Sequence, residues 1–102
     1  MKYTIRFSSK SEADLLALYD YIATDSGDDR ALAYVQKIRN FCLTFQTFPE
    51  RGARWSVAGA EIRVVGFERR VSIAFQIASG QVVILRILYG GRDIVNALGE
   101  PQ

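Results

Sequence analysis

Hydrophobic and polar positions recur along this chain with two different periods, and the change of period divides it. Tyr3, Ile5 and Phe7 alternate with Thr4, Arg6 and Ser8, the period of two of a short half-exposed strand. The spacing then lengthens. Leu15, Leu18, Tyr19 and Ile22 recur as on one face of a helix, with Asp14, Asp20 and Asp25 off that stripe. Ser11, followed by Glu12 and Asp14, predicts the N-cap and acidic first turn of this helix, and Ser26-Gly27 predicts its end. Asp28 or Asp29 is the expected cap of a second helix, whose apolar face is Ala31, Tyr34, Val35, Ile38, Phe41, Cys42 and Phe45. Helices joined by about three residues pack as an antiparallel hairpin. Phe48-Pro49-Glu50-Arg51-Gly52 ends the helical pattern, since its Pro and Gly forbid continuation.

From residue 60 the period returns to two. Ala60 to Val65 is one expected strand, Gly66-Phe67-Glu68 a turn, and Arg69 to Ala78 a second strand with Val71, Ile73, Phe75 and Ile77 on one face. Ser79-Gly80 is a turn signal, and Val82 to Tyr89 follows as a third strand, apolar at every position but Arg86 and closed by Gly90-Gly91. Arg92 to Leu98 is a possible short terminal helix. The predicted fold is therefore a two-layer α+β domain over residues 1–102, of order β-α-α-β-β-β, with the helical hairpin on a three-stranded antiparallel meander.

Arg86 is the position this pattern does not explain. A strand covered on both faces accounts for the apolar residues, but a guanidinium is rarely buried without a partner. If Ile62, Val64 and the Val71 row point inward, Arg63, Arg70, Ser72 and Gln76 point outward, and Arg86 joins them if Leu85 and Ile87 face the helices. A one-residue slip of register reverses that assignment. Local pairing of Arg63 or Arg86 with Glu61 or Glu68 is the plainer alternative for the same residues. Tyr19, Tyr21 and Tyr34 read as core or rim, Cys42 as core, and Trp55 as loop packing or a contact residue.

Charge sharpens this picture. Of 13 basic residues ten are Arg, and seven of those, from Arg51 to Arg92, lie in the second half; six of the 11 acids precede residue 30. The second half thus builds a basic, arginine-rich surface suited to planar anionic groups. Histidine is absent, which removes the usual general base and the commonest zinc ligand, so neither a metal nor a cofactor is expected. One cysteine excludes an internal disulfide framework. No apolar run approaches the ~20 residues of a membrane span, and residues 1–6 do not read as a signal peptide, so the expected location is the cytoplasm and no membrane partner is expected.

The order of elements, with Ala13-Asp14-Leu15, Tyr21-Ile22-Ala23, Phe48-Pro49-Glu50-Arg51-Gly52, Ile62-Arg63, Arg69 to Phe75 and Leu85 to Asp93, resembles the ParE branch of the RelE/ParE toxins of bacterial toxin–antitoxin pairs. The resemblance implies a growth-arresting toxin, of the kind that stabilises plasmids, held in a complex by a cognate ParD-like antitoxin. It implies poisoning of DNA gyrase without catalysis and without any required contact to nucleic acid. Arg63, Arg70, Arg86, Tyr89 and Arg92 are then the expected target contacts, while the antitoxin-binding residues are left open. RelE-type relatives instead cleave messenger RNA on the ribosome, and in that alternative Arg63, Arg86 and Tyr89 form the catalytic centre. The ParE pattern commonly has His where Tyr89 stands, which is the departure that keeps this alternative in view.

Cleavage through a 2′-hydroxyl requires proton transfer as well as cations. Arginine is a poor base, tyrosine has a reference pKa near ~10, and Glu50 and Glu61 are the remaining candidates. A third reading is an inactive, toxin-like antitoxin-binding protein. Under either active reading Arg86→Ala is expected to remove toxicity and leave the fold intact.

Overall fold

The computed structural model describes residues 2–90. In chain order these form β1 (Thr4–Phe7), α1 (Ser9–Ser26), α2 (Asp28–Leu43), a 3-10 turn (Thr44–Gln46), β2 (Ala53–Val57), β3 (Ala60–Phe67), β4 (Val71–Ala78) and β5 (Gln81–Tyr89). The strands make one sheet of order β1-β5-β4-β3-β2, with β1 parallel to β5 and every other pair antiparallel. The predicted strand, hairpin and meander are present. Residues 92–98, with their expected helix and Arg92, lie outside the described residues.

The hairpin packs on one face of the sheet for the reason its periodicity gives. Leu15 and Leu18 from α1, and Val35, Ile38 and Cys42 from α2, with Phe45, meet Val71, Ile73, Phe75, Val82, Ile84 and Ile87 in one core. Burying each large side chain there contributes roughly 1.5–3 kcal/mol, which outweighs any helix propensity. Phe45 lies 4.6 Å from Phe75, centroid to centroid, and Phe41 lies 4.9 Å from Phe67. The Cys42 thiol is fully buried, and burial pushes it up to about 12. It is a core side chain.

Four expectations are corrected. α1 is capped by Ser8, whose hydroxyl accepts from the Ser11 amide at 3.1 Å, and Ser11 is buried and donates back to the Ser8 carbonyl at 2.8 Å. α2 has Gly27 rather than an aspartate at its cap, with Asp28 and Asp29 in the first turn. Strand β2 has no counterpart in the order predicted from the periods. It is held by a two-residue turn, Ala58-Gly59, with φ of 52° and 83°, the left-handed pair that suits the strand twist. At its other end the chain at Gly52 (φ +80°) lies so close to β3 that a Cβ there would sit 2.4 Å from the Val64 carbonyl oxygen.

The last correction is one of register. Arg63, Val65 and Phe67 pair with Phe75, Ile73 and Val71, so they share the helix-facing side, while Ile62 and Val64 lie in the opposite rows. Gly66 stays inside β3, and the turn is Glu68 to Arg70 instead. Phe67, packed on Phe41 and Tyr34, holds the strand together past the glycine.

Candidate functional site at the open end of strand β5

β1 pairs with β5 only from Gln81 to Ile84. Beyond that, β5 continues to Tyr89 without a neighbouring strand on that side among the described residues, and α1 takes the place of one. The Ser8 amide donates to the Ile84 carbonyl at 2.9 Å, and the Ser8 hydroxyl to the Leu85 carbonyl at 3.0 Å. Further along the helix, the Asp14 carboxylate accepts the Ile87 amide at 2.8 Å. The cap residue Ser8 and the Asp14 side chain of α1 therefore satisfy backbone groups that would otherwise form a raw sheet edge.

The same carboxylate accounts for Arg86. Its Nε and Nη2 donate to the two Asp14 oxygens at 2.8 and 2.9 Å, a bidentate pair with side chains only 23% and 13% exposed. A β-bulge lies beside this pair. Phe75 pairs with Ile84 but Ala74 with Arg86, so Leu85 is the extra residue, Arg86 falls in the Ala74 row and Ile87 returns to the core row beside Ile73. The hydrogen bond to Asp14 raises the Arg86 pKa against the opposing effect of burial. The buried-partner condition posed by the sequence is met, by an acid neither Glu61 nor Glu68.

The arginines expected to share one outer face are thus dispersed. Arg63 is half-buried in the row of Phe75 and Arg54, and Arg54 pairs with Glu61 at 3.6 Å. Arg70 is exposed in the β3–β4 turn and donates a long, 3.4 Å hydrogen bond to the Tyr89 hydroxyl, which raises its own pKa. Glu68, beside it, is paired with Lys37 at 2.8 Å. Of the expected contact residues the fold joins Arg70 to Tyr89 by a hydrogen bond, places Arg86, tied to Asp14, in the wall of a hollow that Tyr89 also lines, and leaves Arg63 in the row of Phe75. Trp55 is half-buried in β2, in the row of Ile62, rather than in a loop.

Two side chains that the sequence placed as core or rim complete the site. Tyr21 is 64% exposed and its ring lies 5.6 Å from that of Tyr89. Tyr34 meets Tyr89 edge-on at 6.3 Å, and its hydroxyl is buried without a hydrogen-bond partner among the described residues. Burial raises the Tyr34 pKa, so it stands as a neutral donor. These rings divide two adjoining hollows. One, of about 340 Å³, is lined by the Asp14–Arg86 pair together with Ala17, Leu18, Ile87 and Leu88; the other, of about 550 Å³, is bordered by Arg30, Arg70, Asp25 and Glu68. The only hint in the sequence is that Tyr21 falls one position off the Leu15–Leu18–Ile22 stripe.

Comparison with known proteins gives this arrangement its context. None of the curated proteins matches the chain. Among solved structures, the chain resembles one from the chromosomal ParDE toxin–antitoxin system of P. aeruginosa, with a TM-score of 0.75 and 28% identity over 87% of this chain and 97% of that one. It also resembles a chain of the RelBE2 toxin–antitoxin complex of Mycobacterium tuberculosis, with a TM-score of 0.58 and 21% identity over 87% of this chain and 99% of that one, a likeness of fold. The family model described as the ParE toxin of the type II toxin–antitoxin system, parDE, matches residues 5–94. The chain belongs to the ParE toxin family.

Proposed function

We propose that this ParE-family toxin acts by protein contact: it poisons DNA gyrase, holding the enzyme on cleaved DNA, and is neutralised by a ParD-like antitoxin. The observation that carries this reading is the fate of Arg86. A ribonuclease centre made of Arg63, Arg86 and Tyr89 needs its cations turned toward a scissile phosphate. Instead both Arg86 contacts go to Asp14, and Tyr89 is engaged with Arg70 rather than with Arg63. No histidine exists to move a proton, and Glu61, one candidate base, is paired with Arg54.

Contact with the target then falls to the exposed end of the sheet, to Arg70 and Tyr89 with Tyr21 beside them. Arg63 keeps a lesser place at the β2–β3 side, and Arg92 follows in sequence just past Gly90-Gly91. An exposed arginine set among aromatic rings is the kind of group that dominates protein interfaces.

Induction of the chain in growing bacteria separates the two activities. Pulse-labelling is expected to show protein synthesis continuing through the first minutes while a DNA-damage response and filamentation develop. Immediate arrest of translation with cut messages would refute the proposal.

A further inference from the structure

We infer that β2 is a self-pairing edge: two copies of this chain join β2 to β2, antiparallel about a two-fold axis at Trp55, and form one continuous sheet across a weak homodimer. The inference goes beyond the reading of the chain as a gyrase poison and does not depend on its target.

The fold attends to its other edges and leaves this one bare. At the β1 side the Tyr3 amide donates to the Gln46 carbonyl at 2.9 Å, and along β5 Ser8 and Asp14 take up backbone groups that β1 does not reach. β2 ends the sheet on the opposite side. Its hydrogen bonding follows from its turn. Val57 and Ala60 flank the two-residue turn as partners, so they exchange both ladder bonds, and the alternation repeats at Trp55 and Ile62. The amides and carbonyls of Arg54 and Ser56 therefore point away from β3. Among the described residues no hydrogen bond reaches these four groups. The strand carries no Lys, no Pro and no bulge, the usual devices that keep an edge from pairing.

The free groups are complementary to themselves. With two copies antiparallel about Trp55, Arg54 stands opposite Ser56 of the partner subunit and Ser56 opposite Arg54 of the partner subunit, so the outward amides and carbonyls close four hydrogen bonds. Trp55 meets Trp55 of the partner subunit on the face away from the helices, with Cα atoms about 4.5 Å apart, and Val57 falls opposite Ala53 of the partner subunit. No like charges face each other, since Arg54 is set against a serine and keeps Glu61 of its own chain at 3.6 Å. Five residues a side bury less than the roughly 1,200–2,000 Å² of a stable interface, so a dissociation constant of about 10–100 μM is expected. The pairing leaves Arg70 and Tyr89 uncovered, because β5 and β2 are separated by β4 and β3.

The test is sedimentation velocity of the full chain, free of other proteins, from about 1 to 300 μM, a range that brackets the expected constant. Wild type is expected to pass from monomer to dimer across that range. Ser56→Pro removes an outward amide that β3 does not use, so the chain should still fold and should dimerise at least about tenfold more weakly, while Ser56→Ala should dimerise as wild type. Register is read separately by mild oxidation. Trp55→Cys should cross-link two copies through a disulfide, because its Cα atoms face one another across the axis, and Val57→Cys should not, being offset from its own copy by four residues. Cys42 is fully buried and stays out of this reaction. Should Ser56→Pro fail to fold, the two cysteine variants decide alone. A wild-type chain that remains monomeric throughout would overturn the inference. So would a dimer that Ser56→Pro leaves intact, or cross-linking as efficient at Val57→Cys as at Trp55→Cys.

Discussion

Removal of Arg86 should cost this protein stability, and the geometry sets the scale. The Asp14 carboxylate receives three hydrogen bonds, two from Arg86 and one from the Ile87 amide. In Arg86→Ala it keeps only the last and remains a largely buried charge. Two charge-assisted bonds of roughly 1.5–3 kcal/mol each, discounted because both side chains retain some contact with water, give a loss of about 2–4 kcal/mol. Asp14→Ala should be worse, about 3–5 kcal/mol, because it strands the guanidinium and also leaves the Ile87 amide unpaired at the open edge of β5. The double variant should lose less than the sum, with a coupling of about 2 kcal/mol. In a domain of this size each kcal/mol lowers the midpoint by about 4–8 °C. Thermal and urea unfolding followed by circular dichroism measure all four states of the cycle. An Arg86→Ala protein within about 0.5 kcal/mol of wild type, or additive single losses, would refute the reasoning. Abolished toxicity in that variant is therefore expected to come with a weakened fold, contrary to the expectation from sequence that the fold stays intact.

Three further outcomes follow from the packing. Gly52→Ala should destabilise by about 2 kcal/mol or more, because the left-handed backbone and the Val64 carbonyl both oppose a Cβ; a neutral result in urea unfolding would show that β2 is not held as described. Cys42 has a folded pKa raised to about 12 from 9.0, so the unfolded thiol ionises first and stability should fall by about 1.4 kcal/mol for each pH unit above 9. Cys42→Ala should flatten that dependence, and wild-type Cys42 should resist thiol reagents until the chain unfolds. Arg51→Ala should cost about 1–2 kcal/mol, since its guanidinium lies 4.9 Å from the Phe45 ring and 5.6 Å from Phe41 and donates to the Phe48 carbonyl at 2.9 Å; a midpoint equal to that of wild type would contradict it.

Much of this fold was legible in the periods of the sequence. The apolar stripe of α2 is the one that meets the sheet, and Ser79-Gly80 is the turn between β4 and β5. β2 escaped because five residues with Trp55 and Val57 as anchors carry too little alternation, and its turn, Ala58-Gly59, lacks the usual Asn or Asp. The side on which Arg63 lies could not be read, since alternation fixes which residues share a face of β3 but not which face meets the helices; the register with β4 decides that. The bulge at Leu85 has no local signal, and neither does the partner of Arg86, which stands 72 residues earlier in the chain. Arg70 and Tyr89 could be named from the sequence as candidates, but their setting between two tyrosines of the helical hairpin exists only in three dimensions.

The central claim, that this toxin stalls gyrase by contact, is tested most directly with purified gyrase and relaxed plasmid, in the presence of the chain freed of its antitoxin. Loss of supercoiling, with linear DNA accumulating once protein is digested away, is the result predicted, and Arg70→Glu should restore supercoiling. Supercoiling unaffected by a folded, antitoxin-free chain would contradict the account.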